Sequence, residues 1–341
     1  MPIRITRRAL GASAAVALAA PFVRRAEAAA PIELRCSLDT APSHPRNVAF
    51  RDFLGKIETA SNGQIQTKLF ESGALFPDLH VVKALVQGQV EMACPGTWTI
   101  TGFVADADFS QLPAFYGRTI DVVHKATDGS AGKFVNAEIQ KKLHVELLGP
   151  WFDLGFNQWF STSKPLNSLA DLSGMKLRSP GGVLNSWRIR YFGGIPNVTA
   201  WPDVPLAMSQ GTFDGLISTN ESTNSSKLYD SGMKHSLQDN QGMGLYVPLA
   251  NQEFWTKLGP KLQHTILQLW SENLPTWRSN TAKAQMHGRE ELKTHGVTFV
   301  EVPQAELDAV HGKMLKEQDK AVADAHISPE LVKLVMADVG A

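Results

Sequence analysis

Short apolar runs alternate with stretches of helical periodicity along most of this 341-residue chain, and near its middle the alternation starts afresh. Residues 32–38 read as a strand and Arg46 to Ala60 as a helix, with Phe50, Phe53, Leu54 and Ile57 at helical spacing. A strand over Ile65 to Phe70, a helix from Pro77 to Gly88 and a strand over Val90 to Cys94 follow. Strand–helix–strand–helix–strand order builds an open, mostly parallel sheet covered by helices. A helix to about Gln140 and a strand over Val145 to Trp151 close the first series. From Gly155 the pattern restarts, with strands expected at 157–162, 175–178, 196–200, 213–217 and 233–238 and helices at 183–192, 203–210 and 222–230. The length also exceeds what one hydrophobic core fills. The expectation is therefore an α/β protein of two lobes with a cleft between them.

Leu245 to Ala250 reads as a strand returning to the first lobe, and Gly259 to His295 as one long helical stretch. At 1.5 Å per residue that stretch is about 55 Å long, enough to span both lobes. Pro275 in its middle is expected to kink it. The lobes are then 31–153 with 243–296, and 154–242 with 297–341. In open α/β sheets ligands collect beyond the carboxyl ends of the strands. That rule directs attention to the loops carrying Asp39 to His44, Gly73 to Phe76 and Pro95 to Trp98.

The first thirty residues read differently. Thr6-Arg7-Arg8 precedes an Ala/Leu/Val-rich run, and Ala26-Glu-Ala-Ala-Ala30 offers small residues for cleavage. The stretch reads as an export signal; its arginine pair raises the twin-arginine route beside the ordinary Sec route, and the modest hydrophobicity of the run with Arg24-Arg25 after it favours twin-arginine. The expected location is the periplasm. Removing residues 1–30 takes five arginines and Glu27 from 33 basic and 33 acidic residues, leaving 28 against 32. Such a balance is no footprint for nucleic acid, so an anionic ligand must be captured by one or two placed cations. Cys36 and Cys94 fall on neighbouring parallel strands, where disulfide geometry is poor, and are expected as buried thiols.

Catalytic signatures are missing. The chain has no GxSxG elbow, HExxH pair, Walker loop or GxGxxG fingerprint, and its ten histidines are scattered. No enzyme and no cofactor is expected, and no set of metal ligands can be named. The residue that stands out is Arg178, at the end of the apolar run Met175 to Leu177 and just before Ser179-Pro-Gly-Gly182. A guanidinium mounted at a strand end against a turn presents a planar fork of donors that grips a carboxylate bidentately.

The surrounding residues carry a family likeness. Leu169-Ala-Asp-Leu-Ser-Gly-Met-Lys-Leu-Arg178, the strand after Gly194-Ile-Pro196 and Gln210-Gly-Thr-Phe-Asp-Gly215 are the strongest part of it. Ser61-Asn-Gly-Gln-Ile65, Glu71-Ser-Gly-Ala-Leu75 and Val86-Gln-Gly-Gln-Val-Glu-Met92 add a weaker, distributed match. The chain resembles the extracytoplasmic solute-binding proteins of tripartite ATP-independent periplasmic (TRAP) transporters, the DctP-like family. The resemblance implies a two-lobed periplasmic-binding-protein fold that closes on a small organic acid and delivers it to the membrane subunits of a TRAP transporter. It places Arg178 at the carboxylate-binding position, Trp201 at an aromatic that lines the pocket and Gln158 at a second contact. The chain departs from the family pattern after Gly215, which leaves the second polar anchor open between Ser218 and Asn220. Phe76 and Trp98, in the loops of the first lobe, favour an apolar or aromatic acid. A periplasmic enzyme on a binding-protein fold, or a sensor presenting its ligand to a receptor, are the alternatives. Nothing in the sequence speaks to oligomeric state.

Overall fold

The computed structural model describes residues 30–162 and 164–340. The expected export signal at 1–30 lies, apart from Ala30, outside the described residues. Strand Ile32–Ser37 pairs in parallel with Ile65–Phe70 on one side and Met92–Ala93 on the other. Helix Pro45–Ala60 connects the first pair, opened by Pro45 in the first turn and by His44, whose Nδ1 accepts the Arg46 N–H. Proline suits that position because the first helical N–H groups lack intrahelical acceptors anyway. Helix Asp78–Val86 makes the second connection. Strand Leu249–Asn251 then enters from far along the chain, antiparallel between Met92–Ala93 and Val145–Leu147, completing a five-stranded sheet.

The second sheet has six strands, in the spatial order Thr298–Glu301, His235–Gln238, Gln158–Ser161, Gly215–Ser218, Lys176–Ser179 and Ile195–Val198. It is mixed rather than mostly parallel, since Gln158–Ser161 runs antiparallel to both of its neighbours. A separate antiparallel ribbon of Phe152–Phe156 and Met243–Tyr246 joins the two sheets. Where the sequence suggested one strand at 157–162 and one at 245–250, there are two in each region, the first of each pair forming this ribbon.

The long helix runs Gln252–Thr294 and packs on Pro45–Ala60, on the ribbon and on Asn220–Ser225, so it touches both halves. The expected break at Pro275 is not where the helix is interrupted. Gly259 takes φ +72° and ψ +166°, a conformation essentially open only to glycine, and Pro260 restarts the helix after it. Phe53, Trp270 and Trp277 meet edge to face at centroid distances of 5.3–5.7 Å and pin the helix to the first half. At the C-terminus, Thr298–Glu301 belongs to the second sheet, whereas Pro329–Val339 packs on Ile120–Thr127 and Ser130–Leu143. Cys36 and Cys94 are buried and free. No helix among the described residues is long and apolar enough to cross a membrane.

Candidate functional site

Arg178 sits on Lys176–Ser179, flanked in register by Asn197 and Leu216 of the strands either side. Its Nε donates to the Thr199 carbonyl at 3.0 Å, and its guanidinium lies 5.2 Å from the Trp201 ring centre. The side chain is buried, at 2% exposure. Among the described residues no carboxylate comes within ion-pairing distance of it and neither Nη has a hydrogen-bond acceptor. A buried guanidinium so lightly partnered costs desolvation energy without an equal return. Burial pushes Arg178 down to about 10, with Asp78 and Asp39 pulling the other way, so it remains a cation at neutral pH.

Around it is a narrow cavity of about 360 Å³, counted as all non-atom space including the mouth. From the second half come Trp201, Ser218, Ser222 and Asn157; from the first come Asp39, Thr40, Asp78 and Trp98, with Tyr246 and Leu154 from the ribbon. Asp78 opens its helix, and its Oδ1 accepts the Trp201 backbone N–H at 2.9 Å. Burial, reinforced by Asp39, raises the Asp78 carboxyl to about 6 against the opposing pull of Arg178 and the backbone donors. Asp39 is engaged by Arg46 at 2.5 Å. Arg46 also donates to the Cys94 carbonyl at 2.8 Å and to Thr40 at 2.9 Å, and lies 3.8 Å from the Tyr246 ring centre. The charge of Arg46 is therefore paired, although its Nε lacks an acceptor among the described residues, while Arg178 has no ion-pair partner there. His44, buried beside Arg46, has its pKa held well below the ordinary range by burial and by that cation, so the imidazole is neutral; its Nε2 lies 3.1 Å from Ser222 Oγ. Trp98 brings a buried indole N–H with no partner among the described residues.

Of the seven residues nominated from sequence, Arg178, Trp201, Ser218 and Trp98 line this cavity together. Gln158 and Asn220 line a different, larger hollow of about 820 Å³ on the same measure. There Gln158 accepts the N–H groups of Asp239 and Asn240, and Asn220 pairs with Gln238. Phe76 is half-buried against the apolar core and lines neither. Along the ribbon strand, Leu154 lines the Arg178 cavity, while Asp153, Gly155 and Phe156 line the other hollow. The larger hollow offers no unengaged charge, because Arg289 is paired with Glu301 and Asp153 with His124. Arg178 is what singles out the smaller one. Sequence reasoning flagged the loops that carry Asp39, Thr40 and Trp98 but missed Asp78, Asn157, Ser222 and Tyr246. Asp78 was within reach, being the residue after the helix-opening Pro77. Among the described residues no three His, Cys, Asp or Glu side chains gather to hold a metal ion.

Residues 37–324 match the family described as bacterial extracellular solute-binding protein, family 7, the DctP family. The chain belongs to this family. Like it is the C4-dicarboxylate-binding periplasmic protein DctP of Rhodobacter capsulatus, 28% identical over 258 residues covering 74% of this chain and 75% of the relative. Among solved structures, the sugar acid binding protein of Advenella mimigardefordensis in complex with galactonate superposes with a TM-score of 0.85 at 21% identity, covering 91% of this chain and 98% of that one. A TRAP periplasmic solute binding protein from Ralstonia eutropha H16, with bound (S)-2-acetolactate, gives 0.82 at 23% identity, covering 90% and 98%. These likenesses establish the two-lobed DctP fold. In this DctP-family protein the cavity around Arg178 falls where residues of both lobes and the ribbon converge.

Proposed function

We propose that this protein is the periplasmic solute-binding component of a TRAP transporter, that Arg178 anchors the carboxylate of a small organic acid, and that the loaded protein delivers it to the transporter's membrane subunits. The observation that carries this reading is the buried Arg178 guanidinium with both Nη groups unengaged among the described residues. A carboxylate there supplies the two parallel acceptors the fork needs, at a side chain that is itself buried. The unpartnered Trp98 N–H is a further donor for an acid, and the aromatic walls suit an apolar portion of it. Family relatives named for C4-dicarboxylate, galactonate and acetolactate are consistent with an acid as the ligand class. Convergence of both lobes on the cavity favours capture by closure of the lobes around the acid.

The decisive experiment is a thermal-shift screen of the purified protein against mono- and dicarboxylates, amino, keto, aromatic and sugar acids, followed by calorimetric titration of the hits. A micromolar binder present at millimolar concentration adds about 4 kcal/mol of stability, a plain shift in melting temperature. Arg178→Ala should lose most of the affinity, since charged hydrogen bonds contribute about 1.5–3 kcal/mol each. Titrations indistinguishable between the wild type and Arg178→Ala would sink the assignment.

A further inference from the structure

Resting on the reading of Arg178 as the carboxylate anchor, the charges that share its cavity say more about what the acid carries at its other end. Three ionic side chains line it, Arg178, Asp39 and Asp78, and Arg46 stands behind Asp39. Arg46 and Asp39 neutralise each other directly, and the Nη groups of Arg46 also donate to Thr40 and the Cys94 carbonyl. Asp78 has no such partner. It is 3% exposed, its Oδ1 takes the Trp201 N–H, and among the described residues its other oxygen has no side-chain donor and no cation within ion-pairing distance. Arg178 is the cation whose field acts on it, and a bound carboxylate would take over that cation.

A dicarboxylate would then bring a second negative charge into a buried space that already holds Asp78 and offers no uncommitted cation. Like charges in a desolvated cavity raise each other's energy steeply. A monocarboxylate without a donor forces Asp78 either to stay a buried anion or to take up a proton, and both cost binding energy above the pH of its own titration. An acid that carries an ammonium group balances the site, with Arg178 on its carboxylate, Asp78 on its ammonium and Arg46 on Asp39. One wall fits the same requirement: Tyr246 already carries Arg46 and Trp201 already carries Arg178, whereas the Trp98 ring is paired with no cation among the described residues and can attract one. We infer that the ligand is a zwitterion, an amino-group-bearing monocarboxylic acid whose ammonium is received by Asp78.

The test compares acids of matched length that differ only at one end. Malonate, succinate, glutarate and adipate are each set against the ω-amino acid and the ω-hydroxy acid with the same number of carbons. Alanine and leucine are set against their 2-hydroxy counterparts. Each is titrated calorimetrically into the wild type, Asp78→Asn and Arg178→Ala. In the wild type the amino acid of the best-fitting set is expected to bind about tenfold or more tighter than its dicarboxylate partner, with the hydroxy acid between. In Asp78→Asn that preference should collapse or reverse, because the amide keeps the Trp201 contact and drops the charge. A dicarboxylate that binds tighter than its amino partner in the wild type, a preference unchanged in Asp78→Asn, or no binding by any amino acid overturns the inference. If Asp78→Asn does not fold, the wild-type ranking decides alone. Failure of the anchor reading looks different: acids of every kind would then bind Arg178→Ala as they bind the wild type. Amine-free acids that bind the wild type and are lost in Arg178→Ala would leave the anchor standing and remove the zwitterion.

Discussion

The Asp78 carboxylate accepts the backbone N–H of Trp201 at 2.9 Å, so a residue that opens a helix beside the first sheet holds one that follows the edge of the second. One oxygen thus links the two halves of the molecule at the point where Trp201 stands over Arg178. Removing that acceptor should loosen the contact between the halves. Asp78→Ala is expected to enlarge the radius of gyration of the unliganded protein in small-angle scattering, whereas Asp78→Asn, which retains an acceptor oxygen, should leave it unchanged.

Arg178 is stored at a cost. Its burial is compensated by one backbone hydrogen bond and by the fields of Asp78 and Asp39, and its pKa falls to about 10 as a result. A shape-compatible apolar side chain requires no such compensation. At pH 5, where Asp78 is largely protonated and loses little with the cation, Arg178→Met should therefore melt no lower than the wild type in the absence of ligand, while ligand binding is lost. Differential scanning calorimetry without ligand, paired with a titration, reads both effects.

Four buried acids set an unusual pH dependence. Burial raises Asp78 to about 6 and Asp108, Asp239 and Glu221 to about 7. In the unfolded chain these carboxyls release their protons near pH 4, whereas in the folded protein they hold them to pH 6–7. Between those values the native state binds more protons, so stability falls as pH rises from about 4 to about 7. Asp239 is the clearest probe. Its Oδ2 accepts Tyr116 and Trp159, while its Oδ1 is buried without a partner. Asp239→Asn should flatten the pH slope and be more stable than the wild type at pH 8, by up to about 4 kcal/mol if the whole shift is relieved. Urea unfolding at pH 5 and pH 8 checks it.

Gly182 turns the chain from the Arg178 strand into helix Val183–Tyr191 with φ +75°. A methyl group there would stand 2.6 Å from an Asp108 oxygen and 3.2 Å from Trp98 Cβ. Gly182→Ala should destabilise by at least about 1–2 kcal/mol from the left-handed backbone alone. By displacing Trp98 it should also weaken ligand binding. A variant that loses stability but keeps full affinity would show that Trp98 does not touch the ligand.

The interruption of the long helix makes a paired prediction. Gly259→Ala forces a side chain into a glycine-only conformation and should cost about 1–3 kcal/mol. Pro275 is accommodated within helical geometry, and Pro275→Ala, which restores a backbone donor, should be neutral or stabilising. Chemical denaturation of the two variants orders them.

Arg178 was legible from its place at a strand end before a turn, whereas Trp201 and Ser218 were reached only through the family resemblance; all three line one cavity. Asp78 and Tyr246 were not legible, since nothing near them in sequence reports that the chain returns across the ribbon to face Arg178. Gln158 shows the limit in its sharpest form. Neighbouring residues on an extended chain face opposite ways, so it is Asn157, one position earlier, that lines the Arg178 cavity, while Gln158 turns into the other hollow. The kink assigned to Pro275 failed for a related reason. Proline is the stronger local breaker, yet an adjacent Gly-Pro pair at 259–260 interrupts the helix instead.

The strand order of the first sheet has a consequence for how the protein is made. Leu249–Asn251 is an interior strand, lying between Met92–Ala93 and Val145–Leu147. As the chain grows from its N-terminus, that sheet stays split until residue 251 has been synthesised. By then every strand of the second sheet except Thr298–Glu301 already exists. The half that begins first therefore finishes late, and neither half is a contiguous fragment that could be expressed alone. Assembly of the first sheet waits on this strand, and chains truncated before it should keep open sheet edges and a tendency to aggregate.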